Sequence, residues 1–337
     1  MPLPHWWLRW YPGMKPAPCS QKRTGRSGEK MPLPESENVV FLNGELRPES
    51  QAGISIRDRG YLFGDAVFDA TRTFGGRPFK LREHIQRLYN SLRYLRIDPG
   101  MDAEEMEQWS LAVVKHNHPL LPPNQDLWVS QRISRGIEPT LPGEEMRPTV
   151  LIETHAIPFA RRASLYQTGL RIVTPSVPRV PPRFVSPRAK THNYLNLILG
   201  ELEAQGTDPA AWAVLLDEAG NLTEGRGANI FLIKDGVLAT PRGQMVLEGI
   251  TRSIVIELAE GLGLPVAERD LDLFDAYTAD EAFLTSTSLC ICPISSVNGS
   301  KVNGGQVPGP LTRRLMAAFS DLAGMDYVGQ YLAHLPG

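Results

Sequence analysis

RAKTHNYLNLILG, residues 188–200, places Lys190 at the head of an apolar run, with Thr191, His192, Asn193 and Asn196 close behind it. A lysine before such a run is either a solvated residue or a chemical one, and the segments on either side decide. Upstream, TPSVPRVPPRFVSPR (residues 174–188) is rich in proline, which lacks the N–H a ladder requires. It therefore delivers the chain to Lys190 in an extended form. Downstream, the spacing predicts a helix from Tyr194 to Ala204, then the strand AWAVLLD (211–217) and a Gly-Asn turn. The strands ANIFLI (228–233) and VLAT (237–240) follow, separated by an Asp-Gly turn. A helix at TRSIVIELAEGLG (251–263), strands at VAERD and EAFLTST, and a hairpin around ISSVNGSKV complete this half. Strands dominate, and neither GxGxxG nor GxxxxGK[ST] occurs, so a Rossmann or P-loop reading is disfavoured.

Before the proline passage the pattern is α+β. VVFLNGEL reads as two strands across an Asn-Gly turn. Residues 66–74 alternate, with Phe68, Ala70 and Arg72 on one face and Val67, Asp69 and Thr71 on the other. LREHIQRLYNSLRYLRI is an amphipathic helix on Ile85, Leu88, Leu92 and Leu95, and DAEEMEQWSLAVVKH carries Met106, Trp109 and Val113. DLWVSQRISRG and RPTVLIETHAI read as strands. The expected organisation is an α/β and α+β chain of two domains. A small α+β domain spans 36–157, a linker with a first strand spans 158–189, and a larger sheet-rich domain spans 190–337. Residues 1–35, basic and without helical period, are read as a disordered leader.

A formal net charge of −2 offers no basic field for nucleic acid or an anionic membrane. No apolar run approaches the roughly 20 residues that span a bilayer. Three cysteines do not make a disulfide scaffold, and a reducing, cytoplasmic compartment is expected. Cys290 and Cys292 have strand spacing and read as small core residues, with no metal expected.

Three polar sites stand out in the second half: Lys190; Glu224, after a turn and before a buried strand; and the pair LEGITRSIVIELAEGLG and TSTSLCICPI. Gly249, Ile250 and Thr251 open a helix whose free N–H groups and positive end suit an anion. Thr285, Ser286, Thr287 and Ser288 add hydroxyls at a strand end. Each has a bland reading: a surface lysine, a turn carboxylate, a helix cap with Thr251 as N-cap, and strand-end hydroxyls. One ligand would use all of them, a pyridine aldehyde bearing a phosphate. It needs an amine for its carbonyl carbon, a carboxylate for its ring nitrogen and donors for its phosphate. Composition and spacing alone do not choose between these readings.

The ordered motifs FGDAVFDATRTF, HIQRL, KTHNYLN, EGRGANIF, LEGITR and FLTST together resemble the class IV (fold type IV) aminotransferases. That group includes branched-chain and D-amino-acid aminotransferases, (R)-amine transaminases and aminodeoxychorismate lyase. The resemblance runs over about residues 36–325. It implies pyridoxal 5'-phosphate as cofactor, an amino donor and a keto acid as substrates, and a homodimer whose partner completes the pocket. It implies Lys190 as the Schiff-base lysine, Tyr194 at the phenolic oxygen, Glu224 at the ring nitrogen and Leu247 on the ring face. Ile250, Thr251 and Thr287 resemble the phosphate binders, and Arg87 matches the phosphate arginine although it lies off the apolar stripe of its helix. Phe63, Phe68 and Arg72 match substrate-pocket positions, and Ser288 follows Thr287 where a substrate carboxylate is met. With Tyr61 and Trp128 they suggest an apolar, branched-chain-like amino acid, with glutamate or 2-oxoglutarate as the other pair. Ala70 stands where branched-chain members usually have glycine, and Ser130 where they carry a carboxylate-binding arginine. Arg226 is the unusual residue of EGRGAN: it either clamps a substrate carboxylate or pairs with an acidic residue in solvent. A D-amino-acid or (R)-amine transaminase, or a lyase of the aminodeoxychorismate type, is the alternative on the same scaffold.

Overall fold

Asn43 and Gly44 both take positive φ, 51° and 100°. This is the geometry a two-residue hairpin needs, and it pairs β1 (Val39–Leu42) with β2 (Glu45–Pro48) in antiparallel register. The computed structural model describes residues 36–335, so the leader expected at 1–35 lies outside the described residues. The chain continues through α1 (Arg59–Phe63), β3 (Ala66–Phe74), β4 (Arg77–Pro78), α2 (Leu81–Leu95), α3 (Ala103–Asn117), β5 (Leu127–Ile137) and β6 (Arg147–Ala156). The strands form an antiparallel sheet in the order β2-β1-β6-β5-β3-β4. Helix α2 packs Ile85, Leu88 and Leu92 with Met106 and Val113 of α3 against Phe41, Val67, Val129 and Ile133 of the sheet. Arg96 ends α2 in the left-handed conformation, φ 55°, and Asp102 caps α3 by accepting the Glu105 N–H at 2.8 Å.

The second half comprises α4 (Phe159–Arg162), α5 (Leu165–Thr168), β7 (Leu170–Val173), α6 (Leu195–Thr207), β8 (Ala211–Ala213), β9 (Glu224–Gly225), β10 (Ala228–Lys234) and β11 (Val237–Thr240). After them come α7 (Ile250–Gly261), β12 (Val266–Glu268), α8 (Leu273–Thr278), β13 (Glu281–Ser286), β14 (Cys290–Val297), β15 (Ser300–Lys301), α9 (Pro310–Ala323) and α10 (Tyr327–Leu332). The mixed second sheet runs β12-β11-β10-β13-β14-β7-β8, with β9 beside β10 and β15 beside β14. Several features depart from the sequence reading, the unpredicted helices α9 and α10 among them. The strand expected over 211–217 keeps only Ala211–Ala213 in the ladder, and Leu216 then pairs across a turn with Leu222. The α6 helix is half exposed: Leu197, Gly200 and Ala204 are buried, while Leu195, Leu199 and Leu202 face solvent. Cys290 and Cys292 are buried free thiols in the core, as their spacing suggested. Among the described residues no helix is long and apolar enough to cross a membrane.

The two halves are stitched together at the opening motif. The Phe68 N–H donates to the Lys190 carbonyl at 3.0 Å, and the His192 N–H donates to the Ala66 carbonyl at 2.9 Å. Val67 and Thr191 form a bridge between these bonds. Asn196 fastens the proline passage from the other side, donating to the Pro178 carbonyl at 2.8 Å and accepting the Val180 N–H at 3.1 Å. Lys190 is therefore held by backbone bonds to β3 before its side chain does anything.

Candidate active site

A cleft gathers Lys190, Tyr194, Glu224, Leu247, Ile250, Thr251, Thr287 and Arg87, residues drawn from five separate sequence motifs. The Ser91 hydroxyl accepts the Lys190 N–H at 3.0 Å, and Lys190 Nζ donates to the Tyr194 hydroxyl at 2.9 Å. The same ammonium lies 4.5 Å from the centroid of the Phe68 ring. Lys190 is thus fixed at its backbone by Ser91 and at its side-chain tip by Tyr194.

Glu224 lies at the start of the β9–β10 turn and is 5% exposed. Its Oε1 accepts from Arg179 Nε and Nη2 at 3.1 and 2.9 Å, and its Oε2 accepts the Leu247 N–H at 2.9 Å. A carboxylate offers about four lone-pair directions, so the group is anchored yet still able to accept from the cleft. Arg179 was not singled out by sequence: it sits in the non-periodic proline passage, and its partner lies 45 residues away.

The helix start at α7 is open. Gly249, not Thr251, is its N-cap, and no side chain caps the helix. A Cβ at Gly249 would meet Asn229 Oδ1 at 2.3 Å, and Asn229 donates to the Leu247 carbonyl at 2.9 Å. Only glycine lets the two segments approach this closely. Thr251, Ser286 and Thr287 bring hydroxyls to the cleft, and the buried Thr285 Oγ1 there has no hydrogen-bond partner.

Arg87 is buried, contrary to the solvated placement its position off the stripe suggested. Its Nε and Nη2 donate to the two oxygens of Asp69 at 2.8 Å each, and its Nη1 donates to the Glu248 carbonyl at 3.1 Å. His84 Nδ1 lies 2.7 Å from the same carboxylate. Burial pushes the Asp69 carboxyl up, but the charges of Arg87 and His84 and their hydrogen bonds outweigh it and hold the group well below the usual carboxylate range. Sequence parity put Asp69 on the face opposite Phe68, without showing that it fixes the arginine.

The residues expected to meet substrate are placed less uniformly. Phe68 stands against Lys190 and Tyr194, their ring centroids 5.3 Å apart for the aromatic pair. Phe63, Phe68, Arg72, Trp128, Arg226 and Ser288 do not line the cleft. Phe63 is exposed on α1. Arg72 turns inward, 1% exposed, donating to the Ser288 carbonyl at 2.9 Å and Gln330 Oε1 at 3.0 Å. Arg226 is half exposed and pairs with Glu201 of α6, although its neighbours Gly225 and Gly227 reach the cleft. Trp128 and Ser288 both contact Arg162 instead.

The amine, the buried carboxylate, the uncapped helix start and the unpartnered Thr285 hydroxyl fit a phosphorylated pyridine aldehyde, each matching a different part of it. Comparison with known proteins agrees. The family model of amino-transferase class IV matches residues 66–297. The chain is 38% identical over 291 residues to a putative branched-chain-amino-acid aminotransferase of Methanocaldococcus jannaschii, covering 84% of this chain and 96% of that one. It is 30% identical to a D-alanine aminotransferase of Bacillus licheniformis, with 84% and 96% covered. Among solved structures, the Escherichia coli branched-chain amino acid aminotransferase superposes with a TM-score of 0.75 at 30% identity, covering 85% of this chain and 94% of that one. The Thermoproteus uzoniensis branched-chain aminotransferase with norvaline gives 0.74 at 30% identity, with 89% and 98% covered. The chain belongs to the class IV aminotransferases, and is a fold type IV, pyridoxal-phosphate-dependent enzyme that exchanges amino groups between small amino and keto acids.

Proposed function

We propose that the amino acid handled is apolar and branched-chain-like, with glutamate and 2-oxoglutarate as the second pair. The observation that carries this reading is the aromatic wall at the amine: Lys190 Nζ sits over Phe68, which packs against the rings of His192 and Tyr194. A substrate α-carbon brought to that nitrogen has its side chain beside aromatic surface, which favours apolar groups. The 38% identity to the putative branched-chain enzyme of Methanocaldococcus jannaschii supports the same class.

Pyridoxal phosphate, when bound, supplies an electron-withdrawing ring that makes the substrate α-proton removable. Lys190 Nζ is the group we assign to accept and hold that proton as acid and base. The Tyr194 hydroxyl, 2.9 Å away, fixes the direction of the amine. Glu224 would hold the ring nitrogen, kept in position by Arg179 and the Leu247 N–H. Ile250, Thr251, Thr287 and Arg87 would hold the phosphate, and Leu247 would lie on the ring face.

The homodimer also belongs to this reading. Tyr61, Leu62 and Phe63 of α1 and Leu195, Leu199 and Leu202 of α6 are exposed apolar side chains in the single chain, and a second copy would cover them. Domains at 36–157 and 190–337, with 158–189 between them, and a cytoplasmic location complete the proposal.

A D-amino-acid preference is the second reading, favoured by the 30% identity to the Bacillus licheniformis D-alanine enzyme. The spectral change of the purified holoenzyme with separate L- and D-amino acids and chiral amines distinguishes them. Reduction of the cofactor band by L-leucine, L-isoleucine or L-valine is the expected result. A response restricted to D-amino acids or (R)-amines contradicts the branched-chain reading.

A further inference from the structure

We infer that Arg162, at the end of α4, receives the carboxylate of the substrate, which makes it a specificity-determining residue of this chain. The inference rests on the amino-acid reading above only in requiring a substrate with a carboxylate.

Arg162 is half-buried and lies within cation–π range of two indoles, 5.4 Å from Trp128 and 5.8 Å from Trp212. Its Nη1 donates to the Ser288 hydroxyl at 2.6 Å. Arg72 reaches the same residue from the other side, donating to the Ser288 carbonyl at 2.9 Å. Two guanidinium groups therefore converge on one uncharged serine. Among the described residues neither has a carboxylate within 4.0 Å; Arg72 reaches Asp126 only through Gln330, which donates to that carboxylate at 2.7 Å. Removing charge from water without a counter-charge costs several kcal/mol, so a site of this kind is completed by an anion.

The two arginines are not equivalent. Arg72 is 1% exposed and its fork is taken up by Thr73, Ser288, Cys290 and Gln330. Arg162 is engaged by the Ser288 hydroxyl through Nη1 and lies beside the Tyr331 hydroxyl, and keeps further N–H donors for a ligand. It stands one hydroxyl behind the cleft: Ser286 lines the cleft, and its Oγ lies 3.5 Å from the Ser288 Oγ. The planar fork of arginine matches a carboxylate with two parallel N–H···O bonds. The indoles of Trp128 and Trp212 flank the fork and limit its freedom, which lowers the entropy lost on binding. No sequence signal marks it, because Arg161 and Arg162 are adjacent in a four-residue helix without period.

The test is calorimetric binding of 4-methylvaleric acid and of its neutral amide, 4-methylvaleramide, to the holoenzyme and to Arg162→Gln. Loss of a charge-assisted, bidentate contact weakens the acid by about 10- to 100-fold, while the amide is bound equally by both proteins. In steady state the same variant raises KM for the amino acid and leaves kcat within about threefold. Should Arg162→Gln fail to fold, Arg162→Lys replaces it. That variant keeps the charge, loses the fork, and is expected to weaken the acid without weakening the amide. Unchanged binding of the acid overturns the proposal, as does an equal loss of acid and amide, which would mark Arg162 as packing between the two indoles. Failure of the amino-acid reading looks different: the wild-type holoenzyme itself would then bind neither ligand.

Discussion

Arg87 and Arg179 each meet a buried carboxylate, Asp69 and Glu224, whereas Arg72 and Arg162 meet at Ser288 with no carboxylate within 4.0 Å among the described residues. The first two pairs stand on the wall that we assign to the cofactor. The other two stand behind the substrate side. A buried pair with all its bonds made is set before any ligand arrives, and breaking it leaves an uncompensated charge. An unmatched cationic site instead leaves part of its electrostatics to be supplied by what binds. On our assignment the protein has a permanent frame for the group it keeps and an open one for the molecule that comes and goes.

Asp69→Asn should have the largest effect on that frame. It strips Arg87 of its counter-charge and His84 of its hydrogen-bond partner, and is expected to cost about 3–5 kcal/mol, read from urea unfolding at neutral pH. Because the folded Asp69 carboxyl is depressed, its stabilisation is present above about pH 4, the unfolded value, and is lost as pH falls below it. The variant should lose this acid-side dependence. Equal stability of the two proteins at neutral pH would break the comparison at its strongest point.

Arg179→Met leaves Glu224 with the Leu247 N–H as its described partner. Cofactor retention, measured by equilibrium dialysis, should weaken by about 10-fold or more, in line with the loss of a bond between charged groups. Retention equal to wild type would show that Glu224 holds its place without the pair. Thr251→Ala removes one hydroxyl from an otherwise intact helix start, so retention should fall by about 10-fold or less, with Thr251→Ser restoring it. Arg226→Gln is the smallest change: a half-exposed ion pair contributes little, and stability should stay within about 0.5 kcal/mol with kcat/KM unaltered. A large loss of kcat/KM would return Arg226 to the substrate site.

The same contrast explains what could be read from the chain. Groups of the cofactor wall sit in short motifs at element boundaries: Lys190 after the proline passage, Glu224 at a turn, Thr251 at a helix start. Local rules locate such boundaries, and the alternation of residues 66–74 gave β3 its full length. The partners of those groups did not show. Arg179 and Arg162 lie in segments with no period, and each acts on a residue far along the chain, Glu224 and Ser288. Arg72 was placed on the right face of its strand, yet the face does not say whether a long side chain ends in the cleft or, as here, under the turn after β13. Helices α9 and α10, which bury Phe319, Tyr327 and Tyr331 in the core, also went unread. Their apolar residues serve a neighbouring sheet, and that neighbour is a property of the fold.

The central claim is that Lys190, not another lysine, joins the cofactor. Borohydride treatment of the pyridoxal-phosphate-loaded protein, followed by peptide mass mapping, tests it directly. The added pyridoxyl mass should fall on the peptide containing Lys190 and vanish in Lys190→Ala. Label on Lys80, Lys115, Lys234 or Lys301 with Lys190 unmodified would contradict the account.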